Sequence, residues 1–475
     1  MHHGHGRSVA LWTLGCKLNQ AESEELAALF REQGYTVFDG TADARPADIH
    51  VVNTCTVTSK ADQKARRLIR KLIKVCRAQL VLVTGCYARL NKHELEAIDN
   101  LAPASRRLFV GITKEEIFSL VTQKTAATAA EVGSGVDRSE ARTTERGGRH
   151  PPLILRSRAF LKIEDGCNNH CSYCRVRLAR GTSTSVSAET LSVRLRELER
   201  DGVAEAVLTG VNIAHYQDGG RGLAALLNLL LDHTAAIALR LASLEPPVFT
   251  GALFDVLRNP RIRPHFHLSV QSASTPVLRA MRRNYTAADV CAIIEKLRAL
   301  RDKPFIACDI IAGFPGESPA RFKETLDFCT AAEFAWIHAF PFSPRKGTEA
   351  AGLAARVPER EAVERTAALI ELAEEGKRRY IGLWCGKTVT AIAEKAHDAA
   401  GRFLATAENY LKLAVSARGA PPITTGTAFR CVITTPYTGA AFKADAEAAL
   451  VPQACLGGPC VCPLARVKDE QFLTG

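Results

Sequence analysis

Apolar runs alternate with amphipathic stretches along the first part of the chain. Residues 9–14 form a short apolar run, and residues 22–32 follow with helical spacing. Residues 49–52 precede a basic helical stretch over 60–74, and residues 80–83 precede a further helix over 91–98. Strand–helix units repeated this way predict a parallel sheet flanked by helices over residues 8–121. Across 122–152 the periodicity stops, Ala, Thr, Gly, Ser and charges dominate, and Pro151 and Pro152 close what reads as a linker. A second series spans 153–381, with strands at 159–163, 206–209, 238–241, 267–270, 307–311 and 336–340 and a closing helix over 359–379. Six βα repeats suit a complete or partial parallel barrel. After Trp384 the pattern shifts to short β runs at 388–393, 403–406, 411–415 and 429–434. That predicts a small all-β unit over 384–450, followed by an irregular tail over 451–475. The expected class is α/β with a C-terminal β-barrel.

The 475 residues exceed one ordinary domain, and 47% apolar content allows large buried cores. Lys and Arg number 62 against 50 Asp and Glu, a net charge of +12. That excess points to an anionic partner, nucleic acid first, unless the protein is simply basic. The chain has no run of 18 apolar residues, and Met1-His2-His3-Gly4-His5-Gly6 lacks the apolar core of a secretory signal. Three early histidines read as a polar N-terminus rather than a metal site. A cytoplasmic protein without a membrane span is therefore expected. Fifteen cysteines in a reducing compartment point to metal, cluster or redox chemistry.

Cys167, Cys171 and Cys174 form Cys-x3-Cys-x2-Cys directly after a strand. Three thiolates so close can hold three irons of a cubane and leave the fourth open to a ligand. Zinc is the alternative, but its sites show two spaced pairs, and no second pair follows. The first domain shows a different arrangement. Cys16, Cys55 and Cys86 each follow one predicted strand, at the carboxyl edge where parallel sheets bind ligands. Each alone reads as a buried thiol; together they read as a second cluster site, with Gly15 and Gly85 leaving room beside it. Cys76 ends a helix and stands outside that pattern.

The spacing of Cys167, Cys171 and Cys174, with Asp165-Gly166 before and Tyr173 within, resembles the radical S-adenosylmethionine (SAM) superfamily. The two cysteine sets together resemble its methylthiotransferase family over residues 9–445. Thr209-Gly210-Val211-Asn212-Ile213, Ser243-Leu244-Glu245-Pro246, Gln271-Ser272, Gly313-Phe314-Pro315-Gly316-Glu317 and 342–348 match further family segments in order. The resemblance implies a cluster domain, a radical SAM barrel and a C-terminal TRAM barrel. It implies two [4Fe–4S] clusters, one on Cys16, Cys55 and Cys86, the other on Cys167, Cys171 and Cys174 with SAM on its open iron. Tyr173, Gly210, Ser243, Glu245, Gln271 and Gly313 are the SAM contacts it implies.

In such enzymes one SAM methylates a sulfur and another supplies a radical, so that a methylthio group replaces a C–H hydrogen. Cys16-Lys17-Leu18-Asn19-Gln20 with Asn53-Thr54-Cys55-Thr56-Val57-Thr58 is most similar to the branch acting on N6-threonylcarbamoyladenosine beside the tRNA anticodon. Implied partners are the tRNA anticodon loop, an electron donor such as flavodoxin or ferredoxin, and a sulfur donor. The alternatives are an aspartate of a ribosomal protein as target, or a non-catalytic iron–sulfur or zinc protein that binds RNA. The chain departs from the family at Arg175-Val176-Arg177-Leu178-Ala179-Arg180-Gly181, where an aliphatic-Pro-aromatic run is usual, and at Ser269 and Ala273, where Pro and Gly are usual.

Lys60, Lys64, Arg66, Arg67, Arg70, Lys71 and Lys74 load one helix with charge, as a solvated face or an RNA contact. Residues 407–412 are similar to TRAM, and the few aromatics of that unit (Phe403, Tyr410, Phe429, Tyr437) leave RNA affinity to charge. Cys455, Cys460 and Cys462 read as incidental thiols or a metal clip, and Cys291, Cys308, Cys329, Cys385 and Cys431 as packing.

Overall fold

The computed structural model describes residues 8–40, 46–75, 80–98, 108–111, 113, 116, 117, 119, 121, 157–397, 401–416, 423–439 and 443–451. The expected linker over 122–152, the tail after residue 451, Cys76, Cys455, Cys460 and Cys462 lie outside the described residues. Two compact units divide between Lys377 and Arg378.

The first unit begins with a five-stranded parallel sheet. Its strands are β1 (Ser8–Thr13), β2 (Thr36–Asp39), β3 (Ile49–Thr54), β4 (Leu80–Gly85) and β5 (Leu108–Val110), in the order β2-β1-β3-β4-β5. β3 is buried at all six positions, as a central strand covered on both faces must be. Helices α1 (Lys17–Glu32) and α2 (Ser59–Arg70) connect the first strands. The edge strands β2 and β5 carry too short an apolar run to show in the periodicity. Where one helix over 60–74 is expected, α2 passes into a π-turn, Lys71–Val75. The wider turn lets consecutive Leu72 and Ile73 both point inward, at 1% and 4% exposure. The helix expected over 91–98 is the short α4 (Lys92–Glu96), and a further short helix, α3 (Cys86–Leu90), precedes it across a break at Asn91 with φ −132°.

Six parallel strands follow in chain order: β6 (Ala159–Lys162), β9 (Glu205–Thr209), β10 (Ala238–Leu241), β11 (His265–Gln271), β12 (Phe305–Ala312) and β13 (Trp336–Pro341). Between β6 and β9 lies a two-stranded ribbon, β7 (Glu164–Asp165) with β8 (Thr184–Ser185). β6, β9 and β10 form one sheet and β11, β12 and β13 another. Parallel bridges Leu239–Ile262 and Leu244–Leu268 join the two into a partial (βα)6 barrel. α1 packs along β6, where Glu24 Oε2 accepts from Phe160 N at 3.2 Å. The edge of the barrel is thereby covered.

Inside the barrel Glu205 is 1% exposed and binds three arginines. Arg240 meets it in a fork at 2.7 and 2.9 Å, Arg263 at 2.9 Å and Arg158 at 3.4 Å. Burial pushes the carboxyl up, but Arg240 and the other cations hold it well below its ordinary range.

The second unit is a closed barrel, β14-β15-β16-β18-β17, with strands Thr388–His397, Phe403–Ala407, Lys412–Ser416, Ala446–Leu450 and Ala428–Pro436 respectively. β18 escapes sequence reading because three of its five residues are alanine, a weak strand former.

The Glu205 cluster gives a first test. Arg240→Met strands part of a buried carboxylate's compensation and is expected to cost about 3 kcal/mol in chemical denaturation. A cost below about 1 kcal/mol would show that Arg263 and Arg158 suffice alone.

Candidate two-cluster site

Register brings the first three cysteines together. β1, β3 and β4 are neighbours, with Thr13 opposite Asn53 and Thr54 opposite Gly85. Cys16 is the N-cap of α1, Cys55 directly follows β3, and Cys86 opens α3 directly after β4. All three thiols act on one another electrostatically. Two glycines make that approach possible. A Cβ on Gly15, at φ +109°, would stand 2.3 Å from Cys55 Cβ, and one on Gly85, at φ +94°, 2.3 Å from the Thr54 carbonyl oxygen. Asn19 is fully buried and donates from Nδ2 to the Leu14 and Thr54 carbonyls at 2.8 and 3.0 Å, fastening the first loop to the second.

Burial pushes the Cys55 thiol up to about 12 and raises Cys86 as well. Such thiols stay protonated unless a strongly cationic partner takes the proton's place. That chemistry, three converging thiols beside backbone without side chains, fits an iron–sulfur cluster. Among the described residues no group of three or more His, Cys, Asp or Glu side chains is placed to hold a single metal ion. In a cubane each cysteine binds a different iron, so the thiols need not meet at one point.

Cys167, Cys171 and Cys174 lie in the loop beyond β6 and β7, and their charges also act on one another. Asn169 N points at Cys167 Sγ and Val176 N at Cys174 Sγ, each at 3.4 Å. Burial pushes Cys174 up to about 11.

Of the remaining sequence-predicted residues, Tyr173 lies within the cysteine loop, and the other five stand at or just past the carboxyl ends of β9, β10, β11 and β12, where they behave differently. Glu245, past β10, accepts from Asn169 Nδ2 at 2.6 Å and Asn212 Nδ2 at 2.8 Å, and it pairs with Arg283. It therefore belongs to the cysteine loop's surroundings. Gly210, ending β9, lies against Glu164, where a Cβ would come within 2.7 Å of Oε2. Gln271 ends β11 at φ 67°. Tyr173 packs edge-on against Phe314 at 6.4 Å. Ser243 Oγ faces His267 Nδ1 at 2.9 Å, toward the barrel interior. The Gly313 N–H is taken by Glu317 Oε2 at 2.6 Å, so this amide is engaged within the protein.

Sequence reading missed Arg180. Its side chain is 3% exposed and joins Cys86 of the first site to Asp165, two residues before Cys167. Nε donates to Cys86 Sγ at 2.9 Å, and Nη1 to Glu22 Oε1 at 2.7 Å and Asp165 Oδ1 at 2.8 Å. Nη2 donates to Glu22 Oε2 at 3.1 Å and Asn19 Oδ1 at 3.3 Å. Arg345 makes a second tie, donating to Ser59 Oγ and Thr56 Oγ1, both at 2.9 Å, and pairing with Asp62. The only signal for Arg180 was its place before Gly181, downstream of the cysteine motif.

Two family models match the chain: uncharacterized protein family UPF0004 over residues 8–104 and the Radical SAM superfamily over 161–329. Each match contains one cysteine triad. The threonylcarbamoyladenosine tRNA methylthiotransferase of Treponema pallidum is 40% identical over 89% of this chain and 97% of its own. The chain belongs to the radical SAM tRNA methylthiotransferase family. The tRNA-2-methylthio-N(6)-dimethylallyladenosine synthase of Anaeromyxobacter dehalogenans is 32% identical, covering 85% of this chain and 87% of its own. Among solved structures, the radical SAM methyltransferase TsrM from Kitasatospora setae is 15% identical with a TM-score of 0.49, over 71% of this chain and 75% of that one.

One carboxyl of this methylthiotransferase gives a pH test. Burial pushes Glu164 up to about 7, against hydrogen bonds from Asn212 N at 2.9 Å and Ser183 Oγ at 2.8 Å. Between its ordinary value of 4.5 and about 7 the folded protein binds more protons at this site than the unfolded chain. Its contribution to stability therefore falls as pH rises through that window. Glu164→Gln is expected to lose less stability than wild type between pH ~5 and ~8 in paired denaturation curves. Parallel pH profiles for the two proteins would contradict the assignment.

Proposed function

We propose that the protein inserts a methylthio group at C2 of N6-threonylcarbamoyladenosine beside the tRNA anticodon. The reading is carried by one observation: two separate cysteine triads in a single compact unit, bridged by one buried arginine. The relative 40% identical to this chain is named for that nucleoside, and two dimethylallyladenosine relatives are less similar, at 32% and 34%.

In this reading Cys16, Cys55 and Cys86 hold an auxiliary [4Fe–4S] cluster, and Cys167, Cys171 and Cys174 hold the cluster that binds SAM. When bound, these groups supply a carbon-centred radical and a methylated sulfur. The chain's own residues do the positioning. Gly210 and Asn212 follow β9, Glu245 follows β10 and Gln271 ends β11, so all four stand at one end of the barrel, where Glu245 is fixed by Asn169, Asn212 and Arg283. A carboxylate so held offers a fixed anion for the amino group of SAM. Tyr173, with Phe314 and Phe342 behind it, makes a dry wall that protects a radical from water. In this reading Ser243, whose Oγ faces His267 Nδ1, and Gly313, whose N–H donates to Glu317, are the further contacts to SAM. An electron donor such as flavodoxin or ferredoxin and a sulfur donor complete the reaction.

The division of labour is tested by single substitutions in anaerobically reconstituted enzyme. Cys171→Ala is expected to abolish SAM cleavage to 5′-deoxyadenosine. Cys16→Ala is expected to keep that cleavage and lose the methylthio nucleoside, read by mass spectrometry of digested tRNA. A Cys16→Ala protein unable to cleave SAM would contradict separate roles for the triads.

A further inference from the structure

α2 and its π-turn carry a row of cations on one side. Lys60, Lys64, Arg67, Lys71 and Lys74 recur every three or four residues, the spacing that lines side chains along one helix face. All five are exposed, and none has an ion pair among the described residues. The acidic side chains nearby are engaged elsewhere: Asp62 pairs with Arg345 and Glu94 with Arg66. Ala65, Ile69, Leu72 and Ile73 face the core. Like charges at these spacings work against the helix, and a merely solvated face mixes both signs. The row has no apolar or aromatic anchor of the kind a protein partner needs.

Placement adds a direction. α2 begins four residues after Cys55, so one end of the row lies at the first cysteine site. Arg175 directly follows Cys174 and is near enough to Asp62, Tyr87 and Arg345 for their charges to act on it. Among the described residues its buried Nε has no hydrogen-bond partner and its guanidinium makes no ion pair. From Lys60 to Lys74 the row runs about 20 Å, the span of several phosphates on a nucleic-acid strand. A cleft of about 340 Å3 lined by Gln63, Arg66, Arg67 and Arg70 runs beside it.

We propose that this row is the track that holds the sugar–phosphate backbone of the RNA strand flanking the target nucleotide, with Arg175 holding the phosphate nearest the cysteines. The inference rests on the reading of the protein as a tRNA-modifying enzyme and adds where and how the RNA is held. Contacts of this kind give affinity without sequence readout, and they give it in a salt-dependent way.

The test is fluorescence anisotropy of a fluorescein-labelled anticodon stem-loop RNA with full-length protein over a series of KCl concentrations. The variant Lys64→Gln/Arg67→Gln/Lys71→Gln changes exposed side chains only, and its thermal unfolding is compared with wild type. A control, Arg194→Gln/Arg196→Gln/Arg200→Gln on the helix Ala188–Arg200, lowers net charge equally. The track variant is expected to bind at least about tenfold more weakly, with its log K against log [salt] slope shallower by about two to three, while the control keeps the wild-type slope. Arg175→Gln is expected to reduce the slope by about one. Unchanged affinity and slope in the track variant, or an equal loss in the control, overturns the track alone. A wild-type protein that does not bind the RNA overturns the tRNA reading along with it.

Discussion

Everything at the site depends on burying one guanidinium between two sets of thiols. Arg180 is spent on five acceptors from four residues, and those acceptors come from both halves of the first unit: Cys86, Glu22 and Asn19 on one side, Asp165 on the other. Burial pushes the carboxyls of Glu22 and Asp165 up, yet Arg180 holds both below their ordinary values, so both stay charged beside it. A buried cation with two carboxylates is stable only when every partner is in place. Placing the two cysteine loops correctly and satisfying Arg180 are therefore one event. The bond from Nε to Cys86 Sγ extends this to the cluster proposed there, because a hydrogen bond to a ligand sulfur tunes a cluster's potential.

The rest of the unit supports that arrangement. α1 supplies Cys16 at its start, Asn19 and Glu22 within its first turns, and Glu24 against β6. One helix thus caps a cluster loop, orders Arg180 and seals the barrel edge. Arg345, from the loop beyond β13, ties the start of α2 in the same way, through Thr56, Ser59 and Asp62. Parallel strands do the remaining work by bringing residues distant in sequence to neighbouring strand ends.

Strands buried on both faces, such as β3, β4 and β12, were legible because apolar residues fill most of their positions, despite His50 in β3 and Asp309 in β12. Both cysteine triads were legible for a different reason: thiols are rare, and position after a strand survives small errors in strand ends. The short edges β2 and β5 and the alanine-rich β18 were not, since nothing local distinguishes them from loops. Nor was the break at Asn91 or the π-turn after α2, which answer to packing rather than propensity. Arg180 and Arg345 were invisible because an arginine's role lies wholly in partners that are 15 to 289 residues away along the chain.

The central claim is that one chain holds two clusters, each on its own three cysteines. Mössbauer spectra with iron and sulfide analysis test it directly, on anaerobic wild type and on a Cys16→Ala/Cys55→Ala/Cys86→Ala protein. Wild type is expected to hold about eight irons per chain and the variant about four, all of them in a [4Fe–4S] cluster. Equal iron content and a single cluster in both proteins would contradict it.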